Sequence, residues 1–259
     1  MPYAQSGNTR IYFESHGEGP ALLFVHGAGG HHAAWWQQTA YFKRHYRVLN
    51  IDLRGFGKSD AVPEGPDSQD FPEDIIAVLD HAGIERSVLL GQSIGAAASL
   101  KAAVMHPKRA AAVILAHSTG GMSHPELTPL VRADRAKAEE IPAIDRLLTR
   151  HFQEAQRALT FLFQQMGTFN QATMGDLRNL NAGGPTLEQV RASGVKICFL
   201  AGENDAVIRP ETIAKAHALV PGSSMLLVPN APHSMYWETP ERFNMAVDMF
   251  LREIYPENQ

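Results

Sequence analysis

Short apolar runs without interruption recur along the chain, and stretches with a helical spacing of apolar residues separate them. Apolar runs that lack alternation are typical of strands buried on both faces of a mainly parallel sheet. Strand and helix patterns follow one another in turn, which predicts such a sheet with helices on both faces. The predicted strands are residues 10–15, 21–25, 46–53, 87–90, 110–116, 196–201 and 225–228, and the predicted helices 31–44, 72–83, 96–105, 187–193, 210–219 and 240–255.

The alternation breaks after His117. From 120 to 184 only helix-like patterns occur, and about 65 residues is far too long for an ordinary connection. We therefore predict an α/β core formed by residues 1–119 and 186–259, interrupted by a helical cap at 120–185. This segment is named the helical insertion below. Its predicted helices are residues 126–140, 143–149, 153–167 and 171–180.

One strand-to-helix junction carries the pattern G-x-S-x-G, with Ser93 between Gly91 and Gly95. At such a junction the pattern is typical of a nucleophile elbow, which presents the serine hydroxyl above the sheet. The turn is so tight that the serine backbone is strained, and a Cβ at either glycine would crowd the adjoining strand and helix. An ordinary turn is the alternative, and the strand before it and helix after it favour the nucleophile.

A second small-residue segment, His26 to Gly30, directly follows a predicted buried strand. Small residues let backbone N–H groups point into open space, as the binding of a developing oxyanion requires. We expect the N–H groups of Ala28 and of Ile94, the residue after the nucleophile, to form the oxyanion hole. A flexible connector is the alternative.

A serine nucleophile needs a base and an acid at the same end of the sheet. Asp205 and His233 each follow a predicted strand, at the edge where α/β sheets place their sites. Glu203 competes with Asp205 as the acid. Asp52 and Asp60 precede the nucleophile, whereas the order serine, acid, histidine is the one expected for this architecture.

Four apolar residues are candidates for the substrate pocket: Trp36, Phe163, Met166 and Met235. Most apolar side chains of the helical insertion are expected to fill its own core, with a minority facing the substrate. An apolar pocket predicts a small to medium, largely uncharged substrate, because an unpaired buried charge costs free energy.

Composition excludes several classes of function. Apolar residues make up 44% of the chain and charged residues 19%, and the net charge of −4 argues against a nucleic-acid partner. The 12 histidines lack metal-ligand spacing, so we expect neither a metal nor another cofactor. Cys198 lies alone in an apolar run, and neither a signal peptide nor a membrane span is evident. We expect a cytoplasmic protein that acts on a small molecule and allow for a homodimer.

Taken together, these motifs resemble the α/β hydrolase fold family over residues 10–255. The matching segments are the loop at 26–30, the stretch DLRGFGKS at 52–59, the elbow and the positions of Asp205 and His233. The resemblance implies an eight-stranded, mostly parallel sheet with a cap inserted after the sixth strand. The stretch at 52–59 lacks the first glycine of a phosphate-binding loop, and we interpret it as structural. A serine nucleophile argues against the epoxide hydrolase and haloalkane dehalogenase branches.

The capped form is similar to carboxylesterases, enol-lactonases and hydrolases of aromatic ring-fission products. The sequence thus predicts a serine hydrolase that cleaves a carboxylic ester or lactone through an acyl-enzyme. One alternative is hydrolysis of a C–C bond, in which Arg150, Arg157 or Arg178 would hold a dienoate carboxylate. The other is a ligand-binding receptor on a hydrolase scaffold.

Overall fold

The computed structural model describes residues 2–180 and 182–258. Eight strands in this part of the chain form one sheet in the order β1-β2-β4-β3-β5-β6-β7-β8. Strand β2 pairs antiparallel with β1 and β4, and all other pairings are parallel, which confirms the predicted eight-stranded, mostly parallel sheet. The strands are β1 Tyr3–Ser6, β2 Thr9–His16, β3 Ala21–Val25, β4 Arg47–Ile51, β5 Ser87–Gln92, β6 Ala110–Ala116, β7 Ile197–Gly202 and β8 Ser224–Val228.

Ten α-helices lie in the described residues, some against the sheet and some beyond its carboxyl edge. They are α1 Trp36–Phe42, α2 Phe71–His81, α3 Ile94–Met105, α4 Leu127–Glu139, α5 Arg150–Ala155, α6 Arg157–Met166, α7 Leu187–Ser193, α8 Pro210–Leu219, α9 Met235–Glu238 and α10 Pro240–Ile254.

The sheet separates two apolar layers, and β3 shows how its side chains divide between them. Leu23 and Val25 pack in the layer that contains α2, α3 and α8, whereas Leu22 and Phe24 pack in the layer of α1 and α10. All four side chains are fully buried. Burial on both faces is the reason why this strand reads as an unbroken apolar run.

The helical insertion differs from its prediction in three places. The expected helix at 143–149 is a series of turns, and the helix at 153–167 is broken into α5 and α6 at Gln156. The expected helix at 171–180 has only a 3₁₀ turn, Met174–Asp176. There the N–H groups of Ala172 and Arg178 donate to carbonyls of Gly55 and Pro66 in the core, so tertiary hydrogen bonds replace helical ones.

None of the helices in the described residues combines the length and the apolar character needed to cross a bilayer.

Candidate active site

The turn between β5 and α3 has the strained geometry that the glycine spacing predicts. Ser93 has φ 55° and ψ −113°, a conformation that residues with a side chain rarely adopt. A Cβ at Gly91 would meet the backbone of Gly95, and one at Gly95 would meet the carbonyl oxygens of Val25 and His26. The two glycines therefore allow the helix to begin immediately after the serine and against the end of β3.

This close approach brings the start of α3 beside the loop at 26–30. Within residues 2–180 and 182–258, the N–H groups of Ala28 and Ile94 donate to no protein acceptor. Ile94 opens a 12-residue helix, so its N–H lies at the positive end of the helix dipole. The two groups are thus available to a negatively charged oxygen.

The buried imidazole of His26 holds the loop at 26–30 in place. His26 Nδ1 lies 2.9 Å from the Gly27 carbonyl oxygen, and its Nε2 accepts the N–H of Leu53 at 3.0 Å. Because Nε2 accepts, Nδ1 carries the proton and the ring is neutral. Burial lowers the pKa of His26 to about 4. The loop is therefore pinned to the end of β4 by a side chain that stays uncharged near neutral pH.

Asp205 and His233 meet at the carboxyl edge of the sheet. Asp205 is buried, and both of its carboxylate oxygens lie 2.9 Å from Nδ1 of His233. Its Oδ1 also accepts the N–H groups of Val207 and Ile208, at 2.8 and 3.0 Å. Glu203, the competing acid, is exposed and accepts the N–H of Asn230 instead.

Sequence reasoning missed a further histidine in this cluster. His117 directly follows β6, is fully buried and donates from Nδ1 to Asp205 Oδ2 at 2.8 Å. Its ring centroid is 5.2 Å from that of His233. Like Ser93, it has a positive φ, here 58°. The signal that could have identified it is its position at the carboxyl end of the strand next to β7.

Two histidines and two backbone amides thus surround one carboxylate. Burial alone would raise the pKa of Asp205, but His233 and His117 outweigh that effect and hold it well below its usual range. The ionised carboxylate fixes the His233 tautomer, with the proton on Nδ1 and Nε2 left to accept.

Two hydrogen bonds position the loop that carries His233. Gln92, the residue before Ser93, donates to the His233 carbonyl at 3.4 Å. On the other side, the N–H of Ser234 donates to the carbonyl of Leu147 in the helical insertion, at 3.0 Å. The loop that carries His233 is therefore hydrogen-bonded to the elbow through Gln92 and to the helical insertion through Leu147.

The stretch at 52–60 is engaged in structural contacts. The Asp52 carboxylate accepts from Nδ1 of His32 at 2.8 Å and from the N–H of Lys58 at 2.8 Å. Asp60 pairs with Arg10 at 2.9 Å. These contacts agree with the structural interpretation of this segment from its sequence.

Two clusters in the described residues have donor atoms close enough together to hold a metal ion: His31, His32 and Asp52, and His117, Asp205 and His233. In both, the carboxylate oxygens already accept hydrogen bonds from imidazole and backbone N–H groups. The carboxylate oxygens therefore already act as hydrogen-bond acceptors, whereas in a chelate the same oxygens would face the metal.

The four predicted pocket residues lie in different environments. Met235 is fully buried in the apolar layer of α1 and α10, and Met166 is buried at the end of α6. Phe163 is half-buried, and its ring centroid is 5.4 Å from that of Trp237. Trp36 is 48% exposed, and its ring centroid is 6.3 Å from that of the same tryptophan. Contact with a substrate stays a prediction for all four.

The three arginines considered for a dienoate carboxylate have other surroundings. Arg150 pairs with Asp145 and its side chain is 80% exposed, and Arg157 is exposed. Arg178 donates to the Gly65 carbonyl at 2.8 Å. None of these contacts directs a guanidinium group toward the elbow.

Comparison with known proteins identifies the family. The model of the α/β hydrolase fold family matches residues 20–240. A pimeloyl-(acyl-carrier protein) methyl ester esterase of Aliivibrio fischeri is 24% identical over 258 residues, which cover 95% of this chain and 98% of that protein. The 3-oxoadipate enol-lactonase 2 of Acinetobacter baylyi is 27% identical over 241 residues, covering 90% and 89%.

A solved structure agrees with these relatives. A thermophilic esterase from Thermogutta terrifontis has a TM-score of 0.82 and 24% sequence identity, with 98% of both chains covered. Sheet order, elbow and family match lead to the same assignment. The chain belongs to the α/β hydrolase fold family of enzymes.

Proposed function

We propose that this protein is a serine hydrolase that cleaves a carboxylic ester or lactone of a small to medium, largely apolar molecule. The proposal rests on the strained serine of the elbow together with the buried Asp205–His233 pair. The residue before the serine, Gln92, donates to the carbonyl of His233 and so links the elbow to that pair. The similarity to an esterase and an enol-lactonase supports the same reaction class.

In the proposed reaction, His233 Nε2 takes the proton of the Ser93 hydroxyl as the serine oxygen attacks the carbonyl carbon of the substrate. Asp205 stabilises the imidazolium that forms. The N–H groups of Ala28 and Ile94 donate to the oxyanion of the tetrahedral intermediate. The imidazolium then protonates the leaving alcohol, and a water molecule, activated by the same histidine, hydrolyses the acyl-enzyme and regenerates the serine.

We further propose that the helical insertion acts as a cap over this site. Asn170 links it to both loops below: its side chain donates to the Gly30 carbonyl at 3.1 Å and accepts the N–H of Gly57 at 2.9 Å. The apolar side chains of Met166 and Phe163 at this end of α6 support an apolar acyl group as the substrate part beneath it.

The test is a rapid-mixing assay with p-nitrophenyl esters of increasing acyl length, in which the acyl-enzyme burst and the steady-state rate are recorded together. Wild-type protein should show both, and Ser93→Ala and His233→Ala should lose both. Asp205→Asn should reduce turnover by about three to four orders of magnitude, because the imidazole loses its orienting charge. Glu203→Gln is the matched control, since it removes an exposed acid two residues away.

Three other results of this assay would contradict parts of the proposed function. If a folded wild-type protein releases no p-nitrophenol, the ester proposal is refuted, and ring-fission dienoates become the next substrates to test. If it hydrolyses neither class but binds such a compound with measurable affinity, the receptor alternative replaces it. Equal losses in Glu203→Gln and Asp205→Asn would refute the role given to Asp205.

A further inference from the structure

The carboxylate of Asp205 serves two histidines, and only one of them faces the proposed reaction. His117 donates from Nδ1 to Oδ2 at 2.8 Å, while His233 lies 2.9 Å from both oxygens. We propose that His117 is a positioning residue that shares the Asp205 carboxylate with His233 and so limits how strongly this carboxylate holds a proton on His233. The kinetic consequences rest on the proposed function, whereas the hydrogen-bond geometry does not.

The protonation state of His117 follows from its surroundings. Its Nε2 is buried and, within the described residues, has no hydrogen-bond partner. A protonated ring would leave a second N–H donor without an acceptor in a fully buried position, which is costly. Burial also lowers the pKa of His117. His117 is therefore a neutral donor. The Asp205 carboxylate keeps its full negative charge and interacts with both imidazole rings.

The shared carboxylate determines how His117 affects the protonation of His233. A carboxylate stabilises an imidazolium more when fewer other donors draw on its charge. With the N–H of His117 on Oδ2, and Val207 and Ile208 on Oδ1, the charge that faces His233 is reduced. Removing the His117 donor should therefore let the carboxylate stabilise a protonated His233 ring more strongly. A base of lower proton affinity is deprotonated, and ready to accept the serine proton, over a wider pH range.

Among the described residues, the ionisable groups in contact with His233 are Asp205 from the loop after β7 and His117 from the end of β6. Glu203 is exposed and turned to Asn230. The elbow contributes the uncharged residues Gln92 and Ser93, and the helical insertion contributes the carbonyl of Leu147 to the same loop. A shift in the His233 titration on mutation of residue 117 can thus be assigned to the shared carboxylate.

Two substitutions separate a lost donor from a lost ring. His117→Asn places an amide N–H where Nδ1 stood, and asparagine tolerates a φ of 58° better than most residues. His117→Leu keeps much of the volume but has no donor. If the leucine variant does not fold, His117→Gly removes the donor without backbone strain at the same φ.

The experiment is a histidine-ring NMR titration of the resting protein labelled with ¹⁵N-histidine, in which the His233 signals are assigned from their loss in His233→Ala. We expect the His233 midpoint to rise by about one pH unit in His117→Leu, and to stay within a few tenths of the wild-type value in His117→Asn. Thermal melts establish that both variants are folded.

An unmoved midpoint in the folded leucine variant, or an equal rise in both variants, would overturn the proposal. A purely structural His117 would lower the melting temperature without moving the midpoint. The acid limb of kcat/KM on p-nitrophenyl butyrate should shift in parallel with the NMR midpoint. Absence of turnover in the wild-type protein would refute the proposed function, and the NMR titration would still decide the role of His117.

Discussion

Replacing Ser93 with glycine should give a more stable protein than replacing it with alanine. At φ 55° and ψ −113° a side chain is strained by about 1–3 kcal/mol, and glycine relieves that strain. Glycine also gains freedom in the unfolded chain, which offsets about 0.4–1 kcal/mol of the benefit. Both variants lack the hydroxyl, so any contact of the serine oxygen cancels from the comparison.

The net difference lies between about 0 and 2.6 kcal/mol, with a central value of about 1.3 kcal/mol in favour of glycine. For a chain of 259 residues, the unfolding entropy converts this central value into about 2 to 3 °C in melting temperature. Urea unfolding followed by circular dichroism measures the free energy, with the slope against urea concentration compared between variants to verify that the unfolded states are alike.

A glycine variant that is no more stable than the alanine variant would refute the reasoning, because the strain at Ser93 would then be absent in solution. Both variants should be inactive toward esters under the proposed function, so the difference between them measures the backbone strain that a side chain at this position imposes on the fold.

Three further predictions concern other contacts. Gly95→Ala should lower the free energy of unfolding by about 4 kcal/mol or more, because its Cβ meets the carbonyl oxygen of Val25; Gly175→Ala, where a Cβ has room, is the control, and equal urea midpoints for the two variants would contradict the prediction. Arg54→Met should destabilise the protein by about 3–5 kcal/mol, because it removes the guanidinium that donates to buried Asp74 at 2.8 Å. The double variant Arg54→Met/Asp74→Leu should recover most of that loss in urea unfolding, and no recovery would argue against a buried charge as the cause. The pKa of Asp205 is lower in the folded chain than its unfolded value of about 3.9, so its stabilisation is present above that value and lost as the pH falls through the folded one. The stability deficit of Asp205→Asn, measured by urea unfolding between about pH 5 and pH 2, should therefore shrink with acidification; a constant deficit would show that the charge of Asp205 contributes nothing.

The central strands could be predicted from the sequence because their burial on both faces leaves an unbroken apolar signature. Residues 21–25 and 110–116 form strands with the predicted bounds. Strand β1 was missed because its residues are mostly polar and its structure comes from antiparallel pairing with β2. An edge strand of this kind is defined by its neighbour and not by its own pattern.

The helical insertion was harder to predict than the core. Residues 171–180 have a helix-like pattern, but the N–H groups of Ala172 and Arg178 find acceptors in loops more than a hundred positions earlier. Such distant hydrogen bonds override local propensity and leave no local trace. Helix α4 of the insertion lies close to its predicted bounds, as does α7 in the core just after it.

The candidate site likewise contains residues that could be proposed from the sequence and one that could not. Ser93, Asp205 and His233 could be proposed because each occupies a position with a steric or topological requirement at a strand end. His117 has no local motif, and its contact with Asp205 joins residues 88 positions apart. Only the order of strands in the sheet places it beside the acid.

The attachment of the His233 loop has a consequence for protein engineering. Three hydrogen bonds join this loop and α9 to the insertion: Ser234 N–H to the Leu147 carbonyl, and the backbone and hydroxyl of Thr149 to Glu238, at 3.0, 2.8 and 2.6 Å. The helical insertion therefore cannot be exchanged for that of another protein without affecting this loop. A chimera that imports the corresponding helices of another protein must carry residues equivalent to Leu147 and Thr149. Without them, the loop that carries His233, the proposed general base, would lose its hydrogen bonds to the insertion.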